Sequence, residues 1–317
     1  MISKIKDLSN VSTVIVGPGG EDQRVDNFLL RHCKGVPRTH IYRILRTGEV
    51  RVNSKRVDAT YRLSEGDRLR IPPLRMAEES RAARPRARPV DLPAVFEDDA
   101  VLVLDKPSGM AVHGGSGISF GVIESMRAAR PGLRFLELVH RLDRETSGLL
   151  MLAKKRSALT RLHADLREGK VRKRYLALVK GQFGGAQRRV ELPLRKYLTQ
   201  AGERRVSVDQ EGREARSVFR REQAFRDFSL VSADLLTGRT HQIRVHLAHL
   251  GFPIAGDDKY GDFDLNRELA KRGLRRMFLH AAELRFAHPA TGDTLVLHAP
   301  LPPELDAFLS GLEKRDD

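Results

Sequence analysis

Apolar positions in the first quarter of the chain follow a helical period and then a strand period. Val25, Phe28 and Leu29 fall on one face of a helix. Ile41, Ile44 and Leu45 fall on one face of a second helix, which Pro37 can open and Gly48 can stop. Val50 and Val52 then alternate with Arg51 as in a short strand, Asn53–Ser54 makes a turn, and Leu69 and Ile71 suggest a further strand before Pro72–Pro73. The pattern predicts a small α/β domain over residues 21–72. Residues 73–93 hold no aromatic side chain and are rich in Arg, Ala and Pro, which predicts a flexible linker.

From residue 94 to 317 strand and helix signals mix. Val101–Leu104 and Gly148–Ala153 read as buried strands, and Tyr175–Val179, Ser217–Phe219, Phe228–Leu236 and Leu295–His298 as further strands. Helices are expected after Ser119, Ser157 and Thr240, each able to cap one, with Pro131–Gly132 and Gly251 as stops. Many strands with few helices argue for an α+β fold around a large mixed sheet.

The chain has 317 residues, a prior of roughly two domains. Its 40% hydrophobic content suffices for a core. The single cysteine, Cys33, excludes an internal disulfide and a thiolate zinc or iron–sulfur site. The apolar runs fall far short of the ~20 residues that span a bilayer. The charged start MISKIKDLSN lacks the apolar core of a signal peptide, so a cytoplasmic protein is expected. Charge changes the picture most. Lys and Arg number 57 against 41 Asp and Glu, a net +16 that attracts polyanions. Nucleic acid is the expected partner. A membrane surface is disfavoured, because no basic amphipathic helix with bulky apolar anchors stands out. Arg38, Arg43, Arg46 and Arg51 lie in the densest basic run and are candidate RNA-binding residues.

Four stretches could carry chemistry. In His140–Gly148, Asp143 sits in a polar turn between Arg141 and Arg144, whose charges favour its carboxylate. An ionised carboxylate suits a nucleophile or base, although a turn cap is the plainer role. In Thr237–His246, Arg239, His241, Arg244 and His246 crowd a helix start that can hold an anion. His241 and His246 lie about 140° apart on a helix, too far round to share a metal easily. The glycine run at Val112–Gly117 lacks the Gly-Lys-Ser/Thr of a phosphate-binding loop. The aspartates of Gly256–Asp264 fail the calcium-loop template and are expected to cap a helix and contact basic side chains.

Together these stretches resemble the RluA-type pseudouridine synthases, and among them those acting on large-subunit (23S) ribosomal RNA. HRLDRETSGLL at His140–Leu150, RKRYLALVKG at Arg172–Gly181 and LLTGRTHQIRVHLAHLGFPIAGDDKYG at Leu235–Gly261 resemble the family's motifs, with AVHGGSG and FLELVHRLD at the expected offsets. The segment before residue 73 resembles the RNA-binding module named after small-subunit ribosomal protein S-four. The resemblance implies a catalytic domain with a large mixed, mainly antiparallel sheet. It implies isomerisation of uridine without a cofactor; no metal is expected, since no motif suits one, and a monomer is expected. By the same resemblance Asp143 is catalytic, Tyr175 lies against the target base, Arg244 pairs with the aspartate, and Arg141 fills the space left by a flipped nucleotide. Glu145 departs from the aspartate common there. Flipping a base costs a few kcal/mol, which a stacking arginine can offset. A non-catalytic RNA-binding or ribosome-assembly factor is the alternative, and such a descendant would be free to lose Asp143, Tyr175 and Arg244. A metal-dependent nuclease would instead want converging carboxylates.

Overall fold

In the computed structural model the structure describes residues 10–33, 36–74, 89–114, 120–200 and 202–315. They form two compact units on either side of residues 75–88. The first holds β1 (Ser12–Ile15), α1 (Val25–His32), α2 (Arg38–Arg46), β2 (Arg51–Val52), β3 (Lys55–Arg56) and β4 (Arg68–Ile71). Its sheet runs β1-β4-β2-β3, all antiparallel. Phe28, Leu29, Ile41, Ile44, Val52 and Leu69 form its core, as their spacing requires. β1 lies ahead of residue 21, the start suggested by the pattern, and pairs with β4 over four residues. The linker expected over 73–93 falls largely outside the described residues. At its margins Leu74 and Leu92 are buried in the cores of the two units.

The second unit comprises β5 (Ala94–Glu97), β6 (Val101–Lys106), α3 (Val122–Ala129), β7 (Glu137–Leu138), β8 (Ser147–Ala153), α4 (Arg156–Arg167), β9 (Arg172–Lys180), β10 (Gln187–Glu191), β11 (Leu194–Leu198) and β12 (Arg204–Val208). It continues through β13 (Arg216–Ala224), β14 (Phe228–Leu235), α5 (Gln242–His249), α6 (Phe263–Lys271), β15 (Leu279–Ala287), β16 (Thr294–His298) and α7 (Pro303–Ser310). The main sheet runs β10-β13-β14-β9-β15-β8-β6-β5, with β16 beside β15 and β7 beside β8. Its pairings are antiparallel except β15 with β8, so the sheet is mixed and mainly antiparallel. β11 and β12 form a separate hairpin.

Both faces of the sheet are covered. Leu102, Leu104, Leu150, Leu152, Tyr175 and Ala177 pack with Val122 and Met126 of α3 and Ile243 and Leu247 of α5. Val101, Val103, Leu149 and Met151 face the other way, against Leu159 and Leu162 of α4. This two-sided burial explains why β8 reads as an unbroken apolar run. Each fully buried Leu or Val there contributes about 1.5–3 kcal/mol.

Three expected caps move. α4 begins after Lys155, which leaves Ser157 inside the helix. α5 begins after His241, at φ 55°, and not at Thr240. Ser119 lies outside the described residues, and α3 starts at Gly121, whose N–H donates to Glu124 Oε2 at 2.8 Å. Among the described residues no helix is long and apolar enough to cross a membrane.

Candidate active site

The site forms where the central strands β9, β15 and β8 meet. Their register places Tyr175 opposite Ala281, and Ala281 opposite Gly148. Gly148 has φ 104°, and a Cβ there would stand 2.3 Å from the Ala281 carbonyl oxygen, so only glycine admits this approach. The loop just before β8 carries Asp143, with Thr146 N–H closing a turn onto the Asp143 carbonyl at 3.2 Å. Asp143, Arg141, Lys173, Tyr175, Arg239, His241 and Arg244 line one pocket, floored by Leu142, Leu235, Ile243 and Leu279.

The Asp143 side chain is 17% exposed, open to the pocket. Its cationic neighbour is Arg244, Nη1 to Oδ2 at 3.7 Å. His241 Nε2 stands 3.9 Å from the same oxygen. The chain-neighbour arginines do not make this contact. Arg144 donates to the Gly109 carbonyl at 3.0 Å, and Arg141 is exposed at the pocket wall.

Arg244 is bound more tightly elsewhere. Its Nε and Nη2 donate to the two oxygens of fully buried Asp257 at 2.7 and 2.6 Å, and Nη2 reaches Asp258 at 3.2 Å. The expected Arg244–Asp143 pairing is therefore a looser ion pair beside a bidentate one. The reason is placement, because the Gly256–Tyr260 loop brings Asp257 against the first turn of α5. Burial opposes the Asp257 carboxylate. The Arg244 fork and the N–H groups of Lys259 and Tyr260 outweigh it and hold its pKa below the usual range. The Arg244 guanidinium lies over the Tyr260 ring, 5.2 Å from its centroid. Burial works against its charge too, yet Asp257, Asp143 and Asp258 raise its pKa.

Tyr260 also orients His241. Its hydroxyl accepts the Val206 N–H at 2.9 Å and meets His241 Nδ1 at 2.8 Å. This contact fixes the imidazole with its Nε2 toward Asp143. Burial lowers the His241 pKa, although the Asp143 charge opposes this. Tyr175 is buried, and burial first, then the Asp143 charge, raises its pKa.

Lys106, at the end of β6, supports the loop that carries Asp143. It is fully buried, and its Nζ donates to the carbonyls of Pro107, Met110 and Arg144 at 2.7, 2.9 and 3.1 Å. Burial lowers its pKa to about 7. A lysine closing the apolar run VLVLDK was the available signal. Two buried serine–histidine relays brace the same region. Ser147 Oγ meets His280 Nδ1 at 2.9 Å while Arg276 donates to that oxygen at 2.7 Å. Ser217 Oγ meets His246 Nδ1 at 3.0 Å, with Gln242 donating to Ser217. His246 is thus a core residue, far from ligand geometry. Asp262 caps α6 through the Leu265 N–H at 3.0 Å and pairs with Lys180, as expected of that acidic stretch. The glycine run at 112–117 is described only to Gly114.

In the first unit, Arg43 and Arg46 are exposed on α2 and Arg51 on β2, and Arg38 begins α2. Arg43 and Arg46 line a cleft with Tyr42 and Arg56.

Comparison with known proteins points to one family. The family described as RNA pseudouridylate synthase matches residues 100–249, and the S4 domain matches residues 23–69. The ribosomal large subunit pseudouridine synthase C of Salmonella typhi is 52% identical over 312 residues, covering 96% of this chain and 98% of its own. Its namesake from Escherichia coli (strain K12) is 52% identical over 309 residues, covering 96% and 97%. Among solved structures, human RNA pseudouridylate synthase domain containing 1 is 26% identical with a TM-score of 0.57, over 71% of this chain and 89% of that one. Human RNA pseudouridylate synthase domain containing 4 shares the fold, with a TM-score of 0.57 over 70% and 94%. Asp143, Tyr175 and Arg244 all fall within the matched stretch, and half the residues are shared along almost the full length of the bacterial relatives: this chain belongs to the RNA pseudouridine synthases.

Proposed function

We propose that this protein isomerises uridine to pseudouridine in large-subunit ribosomal RNA, with Asp143 as the catalytic group. The observation that carries the assignment is one carboxylate open to an apolar-floored pocket, with Arg244 at 3.7 Å and the Tyr175 ring beside it. The reaction breaks the C1′–N1 bond, turns the uracil and forms a C1′–C5 bond, and the proton lost from C5 is matched by one gained at N1. Atoms and electrons balance within the nucleotide, so no co-substrate is consumed. The Asp143 carboxylate supplies the negative charge, as nucleophile or base. Arg244, itself fixed by Asp257, orients it. Tyr175 gives the extruded base a ring face. Arg141, at the pocket wall, fills the gap in the RNA. The S-four unit adds affinity through Arg38, Arg43, Arg46 and Arg51. The protein works as a monomer in the cytoplasm, where ribosomal RNA is met.

Pseudouridine mapping of ribosomal RNA from cells with and without the gene tests the assignment. Specific large-subunit sites should lose the modification and regain it on complementation. Asp143→Asn should not restore it, yet should bind RNA as well as the original, because Asn keeps the turn and loses only the charge. An Asn variant that still forms pseudouridine at near the original rate would return Asp143 to a structural role.

A further inference from the structure

We infer that Lys173 holds the backbone phosphate of the nucleotide whose base lies on Tyr175, a second anchor inside the same pocket. The inference rests on the uridine-isomerising reading above. Lys173 and Tyr175 are alternate residues of β9, so both side chains leave the same face of the strand. Their Cα atoms stand about 7 Å apart at the usual strand rise, comparable with the span from a nucleobase to its own backbone. Both line the pocket with Asp143, Gly238 and Arg239.

What marks Lys173 is the lack of an anion at a largely covered position. Among the described residues its ammonium makes no hydrogen bond and no ion pair. Its neighbours differ. Arg174, facing the other way, pairs with Asp234 at 3.2 Å and Glu283 at 4.0 Å. Arg244 is matched by Asp257 and Asp258. Burial lowers the Lys173 pKa with no compensating partner, and the Lys173 charge in turn helps to depress that of buried His140. An uncompensated cation beside a base-binding ring is what a phosphodiester would satisfy, and a lysine suits it as a point charge. Gly238 leaves room there, since even a Cβ would lie 3.6 Å from Nζ. Outside the pocket the pattern continues. Lys196 on β11 lines an adjoining cleft that shares Gly238 and Arg239 with the pocket, and its pKa is lowered by burial and then by the charges of Arg141, Arg213 and Arg204. A strand of RNA leaving the pocket would meet a second cation at that point.

The test compares the original enzyme with Lys173→Met and Lys173→Arg on a large-subunit ribosomal RNA transcript, over a range of salt. The Met variant should lose on the order of tenfold to a hundredfold in kcat/KM, the range for hydrogen bonds to charged groups, chiefly through KM. The salt dependence of RNA binding, read in an Asp143→Asn background so that turnover does not intervene, should flatten by ~0.7 log unit per log unit of salt. The Arg variant should keep that slope. If Met unfolds the protein, Lys173→Gln and the Arg variant carry the same comparison. An unchanged KM and slope, or a loss confined to kcat, overturns the phosphate assignment. Failure of the function reading looks different: the original enzyme would make no pseudouridine, while the slope in the Asn background would still report on the lysine.

Discussion

Tyr175 turns its ring toward the pocket while burial keeps its phenol protonated. The ring should therefore matter more than the hydroxyl. Tyr175→Phe should keep most of the turnover, and Tyr175→Ala should lose the stacking term, ~1–3 kcal/mol per base. Steady-state rates of the two folded variants decide it, and equal losses would make the hydroxyl the important group. Asp257 is the residue on which the site's electrostatics hang. Asp257→Asn leaves Arg244 buried, 3% exposed, with only looser anionic neighbours. Removing one partner of such a pair costs about 3–5 kcal/mol, so the urea midpoint should fall and activity with it. An Asn variant as stable as the original would show that Asp143 and Asp258 suffice to hold the arginine. The family resemblance pointed to Asp143, Tyr175 and Arg244 as a group, because the motifs that carry it are local. It did not reveal that Asp257, thirteen residues beyond Arg244 and in a loop, takes the bidentate contact. Choosing between two aspartates depends on how that loop folds back, which no spacing encodes.

Strands buried on both faces were legible as elements because they must be apolar throughout, as β6 and β8 are. Helix faces in the small unit were legible through their period. Short half-buried strands such as β1, of four residues, and the β11–β12 hairpin carry too little periodicity to separate from loops. Helix starts misled for a definite reason. Thr240 and Ser157 have the chemistry of caps, yet the chain enters α5 through the left-handed His241 and enters α4 at Lys155. His241 takes that conformation with Tyr260 holding its ring, a tertiary contact invisible locally. Gly148 is a tightly constrained position in the sheet. Gly148→Ala combines a φ of 104° with a Cβ 2.3 Å from a carbonyl oxygen. It should cost more than the 1–3 kcal/mol of backbone strain alone, since β8 and β15 must separate. Thermal unfolding of the variant checks this, with loss of activity expected even where the chain still folds.

Across the molecule, buried neutral histidines set the response to acid. Burial lowers the pKa of His246, of His280 and of His140, the last to about 3. A folded-state pKa below the unfolded value of 6.5 means that the unfolded chain takes up protons first as pH falls. Stability contributed by these groups is present above about pH 6.5 and is lost progressively below it. The buried Asp257, with its pKa also lowered, adds its own loss only below about pH 4, near the ordinary carboxylate range. Urea midpoints measured against pH should fall more steeply below about 6.5, and a midpoint indifferent to pH down to about 5 would contradict this account. The sheet order has a consequence for how the enzyme comes into being. β15 is inserted between β9 and β8, although about 100 residues of chain separate it from β9 and about 125 from β8. Until β15 has left the ribosome that synthesises it, the edges that cradle Tyr175 and the Asp143 loop have no strand between them. The S-four unit contains its own sheet and core and needs none of that later chain. A growing chain can therefore complete its S-four unit well before the pocket around Asp143 closes, which waits for β15.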